Sequence, residues 1–102
     1  MSVYSKLLGR VVLSGAGSAT VFTAAALGTT VIRDVSITYS SSCTEVFLSV
    51  AGVVTFVDFR NVAAVDGTFH EECRVVLAPG DVVSFATSGG PGQCYVSGYL
   101  LV

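Results

Sequence analysis

The sequence predicts an all-β protein, an antiparallel β-sandwich of the jelly-roll type with about eight strands. Hydrophobic residues make up 52% of the 102 positions and charged residues only 12%. The apolar residues alternate with a period of two, as in β-strands. Along residues 31–40 the residues expected on one face are Val31, Arg33, Val35, Ile37 and Tyr39. Turn signals rich in Gly and Pro recur about every 8–12 residues, which is typical of sandwiches. A seven-stranded immunoglobulin-like sandwich is the alternative.

Three extended segments are expected before residue 40. The first covers residues 4–13, the Gly/Ser-rich residues 14–18 form a hairpin turn, and the second strand covers residues 19–24. Residues 25–28 end it, and residues 29–39 form the third and most regular strand. In the first strand, alternation assigns Leu7, Val11 and Leu13 to one face and Lys6 and Arg10 to the other.

The fourth and fifth strands form a hairpin. Residues 40–42 are a polar Ser loop, and residues 44–50 place Val46, Leu48 and Val50 on one face. Ala51-Gly52 is a two-residue link of the kind that adopts a primed turn. Residues 53–59 follow as a strand that is apolar on both faces, and Arg60 to Val65 could form one helical turn.

The last three strands are separated by two Gly-containing turns. Residues 68–77 form the sixth strand, and Ala78-Pro79-Gly80-Asp81 has Pro and Gly where a type II turn prefers them. Residues 82–86 form the seventh strand and residues 88–92 a flexible loop. Residues 93–101 form the eighth.

The chain is expected to be one domain over residues 1–102, in which residues 1–13 are an edge strand or an arm that contacts other subunits. Its net charge is −2, and its five Lys and Arg residues are scattered. A nucleic-acid interface would need them clustered, so we expect no nucleic-acid partner.

Residues 11–32 carry no charge, which is the one feature of the sequence that could indicate a membrane segment. That length could span a bilayer as a helix, and it also resembles a signal peptide. The segment contains Gly15, Gly17 and Gly28 and many Ser and Thr residues. Two strands joined by a turn explain it better, and we expect no membrane partner.

The three cysteines, Cys43, Cys73 and Cys94, are odd in number and are not spaced as a metal site or a disulfide scaffold. Small apolar fillers in a reducing compartment are the favoured interpretation, and one disulfide with a spare thiol is the alternative.

The sequence predicts no enzyme, cofactor or metal site. His70-Glu71-Glu72-Cys73 is its one reactive-looking cluster, but on a strand His70 and Glu72 point one way and Cys73 the other. A metal bound by His70 and Glu72 would need ligands from elsewhere. Gly15-Ala16-Gly17-Ser18 lacks the lysine and the following helix of a phosphate-binding loop.

Tyr4, Arg33, Tyr95 and Tyr99 are the candidate interface residues. Exposed tyrosines can serve as contact anchors or stack on sugars. Arg33 lies on an otherwise apolar face, where a charge must be paired or reach solvent. It either reaches solvent at a strand end or forms an intersubunit salt bridge to an acid such as Asp58 or Glu45.

Three segments carry a resemblance to a known family: Gly28-Thr29-Thr30-Val31-Ile32-Arg33-Asp34-Val35, then Val76 to Phe85 with its Ala78-Pro79-Gly80-Asp81 turn, then Val96-Ser97-Gly98-Tyr99-Leu100-Leu101. Over residues 19–102 the chain resembles the small β-sandwich virion proteins of tailed bacteriophages. Residues 20–24 depart from that family, whose members often carry a Tyr-x-x-Pro start there.

The resemblance implies a non-enzymatic virion subunit, either a minor tail or tail-tip component or a capsid decoration protein. Its implied partners are other copies of the chain, as a trimer for example, and other virion proteins. We expect apolar and strand-edge contacts, with the first and last strands, residues 4–13 and 93–101, as the contact edges. The alternative is a carbohydrate- or receptor-binding module that uses Tyr95, Tyr99 and residues 88–92 to bind a host surface glycan.

Overall fold

The computed structural model describes residues 6–60 and 67–101, with only the backbone described for residues 53–60. These residues form eight strands and no helix, so no helix in them could cross a membrane. The strands are β1 (Lys6–Leu13), β2 (Gly17–Thr23), β3 (Thr29–Tyr39), β4 (Glu45–Val50), β5 (Val53–Arg60), β6 (Gly67–Leu77), β7 (Val82–Ser88) and β8 (Gly92–Leu101). The all-β prediction is confirmed. The predicted helical turn begins at Arg60, which ends β5, and otherwise lies outside the described residues.

The strands form two four-stranded antiparallel sheets in a jelly-roll arrangement. Sheet I has the order β1-β8-β3-β6 and sheet II the order β2-β7-β4-β5. The first strand therefore pairs with the last, the second with the seventh, the third with the sixth and the fourth with the fifth. The first half of the chain is therefore antiparallel to the second half, as in one long hairpin. The four strand pairs, taken from the chain ends inward, belong alternately to sheet I and sheet II. An immunoglobulin-like sandwich would pair its first two strands within one sheet, whereas β1 and β2 lie in different sheets.

The core lies between the two sheets. Its largest fully buried side chain is Phe85 on β7, which packs with residues from both sheets. Burial of one such side chain contributes about 1.5–3 kcal/mol. The buried residues that form this core cluster are Val11, Val21, Ala24, Ile32, Val35, Ile37, Cys43, Val46, Leu48, Leu77, Val83, Phe85, Cys94 and Val96.

A β-bulge at Leu8 changes which side chains of β1 face the core. The register with β8 shifts between Leu7 and Gly9. Leu7 is consequently opposite Ser97 and is 56% exposed, while Leu8 packs against the core. The prediction that Leu7 shares a face with Val11 was therefore wrong, because strict alternation cannot anticipate an inserted residue.

A second bulge lies at Arg33 in the middle of β3. The register shifts between Ile32 and Asp34 on both sides of the strand. Ile32 and Val35 both enter the core, whereas Val31 does not belong to the core cluster, and Arg33 is exposed. The predicted alternation, which grouped Val31 and Arg33 with Val35, was wrong here. Arg33 does reach solvent, but from the middle of the strand rather than from its end.

The two predicted tight turns are confirmed. Ala51 and Gly52 have φ values of 51° and 82°, the positive pair that a type I′ hairpin turn requires. In the second turn Gly80 has φ 83°, and the Asp81 amide donates to the Ala78 carbonyl at 3.1 Å, as in a type II turn.

The Gly/Ser segment after β1 was wrongly predicted to be a hairpin turn. It connects β1 in sheet I with β2 in sheet II, so it is a crossing between the sheets. It is followed by a strand rather than a helix, which agrees with rejecting a phosphate-binding loop.

Cys43, Cys73 and Cys94 are free thiols. Cys43 and Cys94 are buried in the core. The Cys43 thiol donates to the Pro91 carbonyl at 3.2 Å, which ties the loop after β3 to the loop before β8.

Substitution of Gly98 should be strongly destabilising. A Cβ at this position would meet the backbone carbonyl oxygen of Val31 and the side chain of Leu8, and backbone cannot move aside cheaply. We expect Gly98→Ala to lower the free energy of unfolding by about 1–3 kcal/mol, as overpacking does, in urea denaturation. Gly15→Ala is the control, since nothing lies within 4 Å of its Cβ, and equal losses in both variants would contradict this reading.

Cys94 should give stability an alkaline dependence. Burial raises the pKa of its thiol from the usual 9.0 to about 12. Above pH 9 the unfolded chain loses this proton while the folded chain keeps it, so the free energy of unfolding should fall as pH rises toward 12. The slope for one proton is at most about 1.4 kcal/mol per pH unit.

Urea denaturation across pH 8–11 isolates this effect by comparing variants. Cys94→Ala should flatten the alkaline decline, whereas Val96→Ala, a core truncation without a titrating group, should keep it. If the free energy of unfolding falls with pH as steeply in Cys94→Ala as in the unaltered chain, groups other than Cys94 cause the decline.

Candidate functional site

The outer face of sheet I carries most of the candidate functional residues. On β8, Cys94, Val96 and Gly98 are buried toward sheet II, so the intervening residues Gln93, Tyr95, Ser97 and Tyr99 point outward and are half-buried. Directly paired residues on neighbouring strands share a face, which extends this assignment across the sheet.

Strand register arranges the outer face in rows that cross all four strands. One row runs Arg10, Tyr95, Ser36, His70 from β1 to β6. The next runs Leu7, Ser97, Asp34, Glu72. The β1 side therefore presents apolar and cationic groups, while the β6 side presents His70 and carboxylates together with Val76, which is 58% exposed.

Two arginines stack over the two tyrosines of β8. The guanidinium carbon of Arg10 lies 5.5 Å from the ring centroid of Tyr95, and that of Arg33 lies 6.0 Å from Tyr99. Such cation–π contacts contribute about 0.5–1 kcal/mol at exposed sites. Arg33, Tyr95 and Tyr99, all predicted interface residues, are thus brought together on one face. The fourth, Tyr4, lies outside the described residues.

One predicted contact edge was wrong. The last strand, β8, is hydrogen-bonded on both sides, to β1 and to β3, so it contributes its outer side chains but no free edge. The edges of sheet I are β1 and β6. β1 remains a candidate for strand pairing, and its Leu7 and Val12 are 56% and 57% exposed.

The sequence suggested Glu45 or Asp58 as the acid that pairs with Arg33 in an intersubunit salt bridge. Glu45 begins β4 in sheet II, whereas Arg33 lies over Tyr99 on the outer face of sheet I. The side chain of Asp58 lies outside the described part. An intersubunit salt bridge stays a prediction.

The His70 segment forms a polar cluster with β3. The Nδ1 atom of His70 is 2.7 Å from the Ser36 hydroxyl oxygen, and its Nε2 atom is 3.7 Å from Asp34 Oδ1. One donor atom each of Asp34, His70 and Glu72 lie within 4.8 Å of one another. Strand alternation in the sequence placed His70 and Glu72 on one face. It did not predict that Asp34 joins them, because no residue pattern in the sequence marks the bulge at Arg33.

Cys73 is kept apart from His70, as the strand alternation predicts. It packs partly buried against the core, where its thiol donates to the Ile32 carbonyl at 3.9 Å. Burial raises the pKa of the Cys73 thiol, and the nearby charges of Glu71 and Asp34 raise it further, against a lowering by Arg33. A thiol with a raised pKa is a poor nucleophile at neutral pH.

An open groove of about 330 Å³ lies where β1 and β3 end and β8 begins. Tyr39 forms one wall, and its ring lies against Gly67, where a Cβ would overlap it. Gln93 accepts a long hydrogen bond of 3.5 Å from the Tyr95 hydroxyl. The groove is lined by Val12, Leu13, Thr38, Tyr39, Ser40, Pro91, Gly92 and Gln93.

Comparison of the sequence with protein-family models and with curated proteins finds no match. The likeness to phage virion proteins therefore rests on the residues quoted above and stays a prediction.

Proposed function

We propose that this chain is a non-enzymatic structural subunit of a tailed-phage virion. It assembles with copies of itself and with other virion proteins, as a minor tail or tail-tip component or as a capsid decoration protein. The observation that carries the proposal is the pair of apolar side chains, Leu7 and Val12, left more than half exposed on the outer face of edge strand β1.

The neighbours of these two side chains have the composition of an interface. Arg10 lies between them on the outer face and stacks on Tyr95. Tyr and Arg are enriched in the energetically dominant parts of protein interfaces. Because the Arg10 side chain is already stacked on the ring of Tyr95, it loses less conformational freedom on association.

Strand β1 also offers main-chain groups to a neighbour. Among the described strands it pairs with β8 alone, and an unpaired strand edge is a template for another strand. In the proposed assembly, apolar contact through Leu7 and Val12 together with edge pairing holds the copies together.

The fold is compatible with this role but does not select it. Jelly rolls occur in viral capsid proteins, in lectins and in cupins, and function belongs to sites rather than to folds. The assignment to a virion comes from the resemblance of residues 19–102, and the assignment to assembly comes from the exposed β1 surface.

The assembly proposal predicts that a charge on β1 disrupts self-association. We expect the intact chain to form a discrete oligomer, such as a trimer, in sedimentation velocity and in size-exclusion chromatography with light scattering. Leu7→Glu should weaken association by at least about 30-fold, since an unpaired charge in an interface costs about 2–5 kcal/mol.

Leu27→Glu is the matched control for this experiment. Leu27 is 79% exposed in the link between β2 and β3, so the same substitution there should leave association unchanged. A stable monomer of the unaltered chain at high concentration, or equal effects of the two substitutions, would count against the proposal.

A second candidate function is binding of a carbohydrate in the groove beside Tyr39. The groove combines an aromatic wall with the amide of Gln93 and the hydroxyls of Thr38 and Ser40. Aromatic faces and a few directed polar groups are the usual elements of such sites. The sequence suggested Tyr95, Tyr99 and residues 88–92 for sugar binding. Of these, Pro91 and Gly92 line the groove, Tyr95 contacts it through the hydrogen bond to Gln93, and Tyr99 is not among its lining residues.

The carbohydrate candidate predicts retention on a glycan array. Gln93→Ala should reduce the signal about tenfold or more, because a lost directed hydrogen bond leaves the sugar hydroxyl unpaired. Ser97→Ala, on the same face of β8 but outside the groove, should not change it. No retained glycan, or equal losses in the two variants, would remove this candidate.

A further inference from the structure

We propose that Asp34, His70 and Glu72 form a binding site for a divalent first-row transition-metal ion on the β6 side of the outer face. The site is independent of the assembly proposal, because it uses the opposite edge of sheet I from Leu7 and Val12. It comes from two strands that are far apart in sequence, β3 and β6.

The backbone places the three ligands together. Asp34 is directly opposite Glu72, and Ser36 is directly opposite His70, in the antiparallel pairing of β3 with β6. His70 and Glu72 are two residues apart and point to the same side. One donor atom from each of the three ligands then lies within 4.8 Å of the other two.

The hydrogen bond of Ser36 prepares the imidazole for metal binding. The Ser36 hydroxyl lies 2.7 Å from His70 Nδ1, so an Nδ1–H proton can be donated to it. The Nε2 lone pair is then free on the side of Asp34, whose Oδ1 is 3.7 Å away. Metal-binding histidines commonly have such a partner on the second ring nitrogen, which fixes the tautomer and orientation.

Only small movements are needed to close the cluster around an ion. Metal–ligand bonds of about 2.1 Å in a tetrahedron place ligand atoms about 3.4 Å apart. The His70–Asp34 separation of 3.7 Å is already close to this value. The side chains of His70 and Asp34 are 54% and 35% exposed, so an ion can enter from solvent and water can complete its coordination.

The ligand types select the class of metal. One imidazole with two carboxylates suits Zn²⁺ and its first-row neighbours, whereas Mg²⁺ and Ca²⁺ prefer oxygen ligands alone. Two carboxylates also offset the charge of a divalent ion. Arg33 and Arg74 flank the cluster in sequence, and Arg33 is directed onto the ring of Tyr99.

The single histidine of the chain makes the test unambiguous. Titration of the intact chain with zinc chloride should show binding of one ion by calorimetry. In ¹⁵N NMR spectra of the imidazole, zinc should shift the Nε2 resonance and leave the proton on Nδ1. Ser36→Ala should weaken binding about tenfold, as loss of such a partner does.

Matched variants separate this site from unspecific binding. Asp34→Asn and Glu72→Gln should each weaken zinc binding at least as much as Ser36→Ala. Glu71→Gln removes the same charge one residue away, on the other face of β6, and should leave the affinity unchanged, as should Cys73→Ser. Calcium at the same concentration should not shift the Nε2 resonance.

Three results would overturn the proposal. One is an unchanged Nε2 resonance at millimolar zinc, which would leave the contacts of His70 with Ser36 and Asp34 as polar contacts without a metal. Another is an equal loss of affinity in Glu71→Gln and Glu72→Gln. The third is loss of binding in Cys73→Ser, which would assign the ion to the thiol. The NMR result on the unaltered chain decides the question even where a variant folds poorly.

Discussion

The β-bulge at Arg33 determines how the central strand of sheet I divides its side chains between core and solvent. Without it, the alternation that buries Ile32 would also direct Asp34 into the core and turn Val35 and Ile37 outward. A buried unpaired carboxylate costs several kcal/mol. The extra residue reverses the alternation, so that three large apolar side chains enter the core and the charged pair Arg33-Asp34 reaches solvent.

The same bulge positions two features of the outer face, the stacking of Arg33 on Tyr99 and the cluster of Asp34, His70 and Glu72. Strand β8 has no residue opposite Arg33, whereas β6 has Cys73 and Arg74 there. Arg33 is thereby left over Tyr99, and the next residue, Asp34, is opposite Glu72. The stacked arginine and the carboxylate of the proposed metal site are consecutive residues, so the local geometry of one strand positions both.

Local features of the fold were predictable from sequence, and long-range ones were not. The bounds of β3 and the types of the turns at Ala51-Gly52 and Pro79-Gly80 follow from alternation and from residues that tolerate positive φ. The bulges at Leu8 and Arg33 depend on packing between strands and leave no local signal, which is why the faces of Leu7 and Val31 were misassigned. Likewise, sequence alone does not reveal that the last strand lies between the first and the third.

The grouping of candidate residues on the outer face was predictable only in part, for the same reason. Tyr95, Tyr99 and Arg33 were singled out because aromatic and charged residues stand out in an apolar chain, but their common face follows only from the register of β8. His70 and Glu72 were recognisable as neighbours on one strand. Asp34 and Ser36 could not be added, because cross-strand pairing joins residues that are more than thirty positions apart.

The distribution of charge across sheet I gives its two edges different chemistry. At the β1 edge, Leu7 and Val12 leave apolar surface in water, which favours association with another protein surface. At the β6 edge, His70, Glu72 and Asp34 are polar groups that lose hydration when covered, unless a partner or an ion compensates them. A neighbour packed on this face therefore gains free energy at Leu7 and Val12 and loses it at the His70 cluster, while Val76, 58% exposed farther along β6, adds apolar area at that edge. In the proposed roles, association through β1 alone would leave the His70 cluster open to solvent, so assembly and ion binding would be compatible on one outer face.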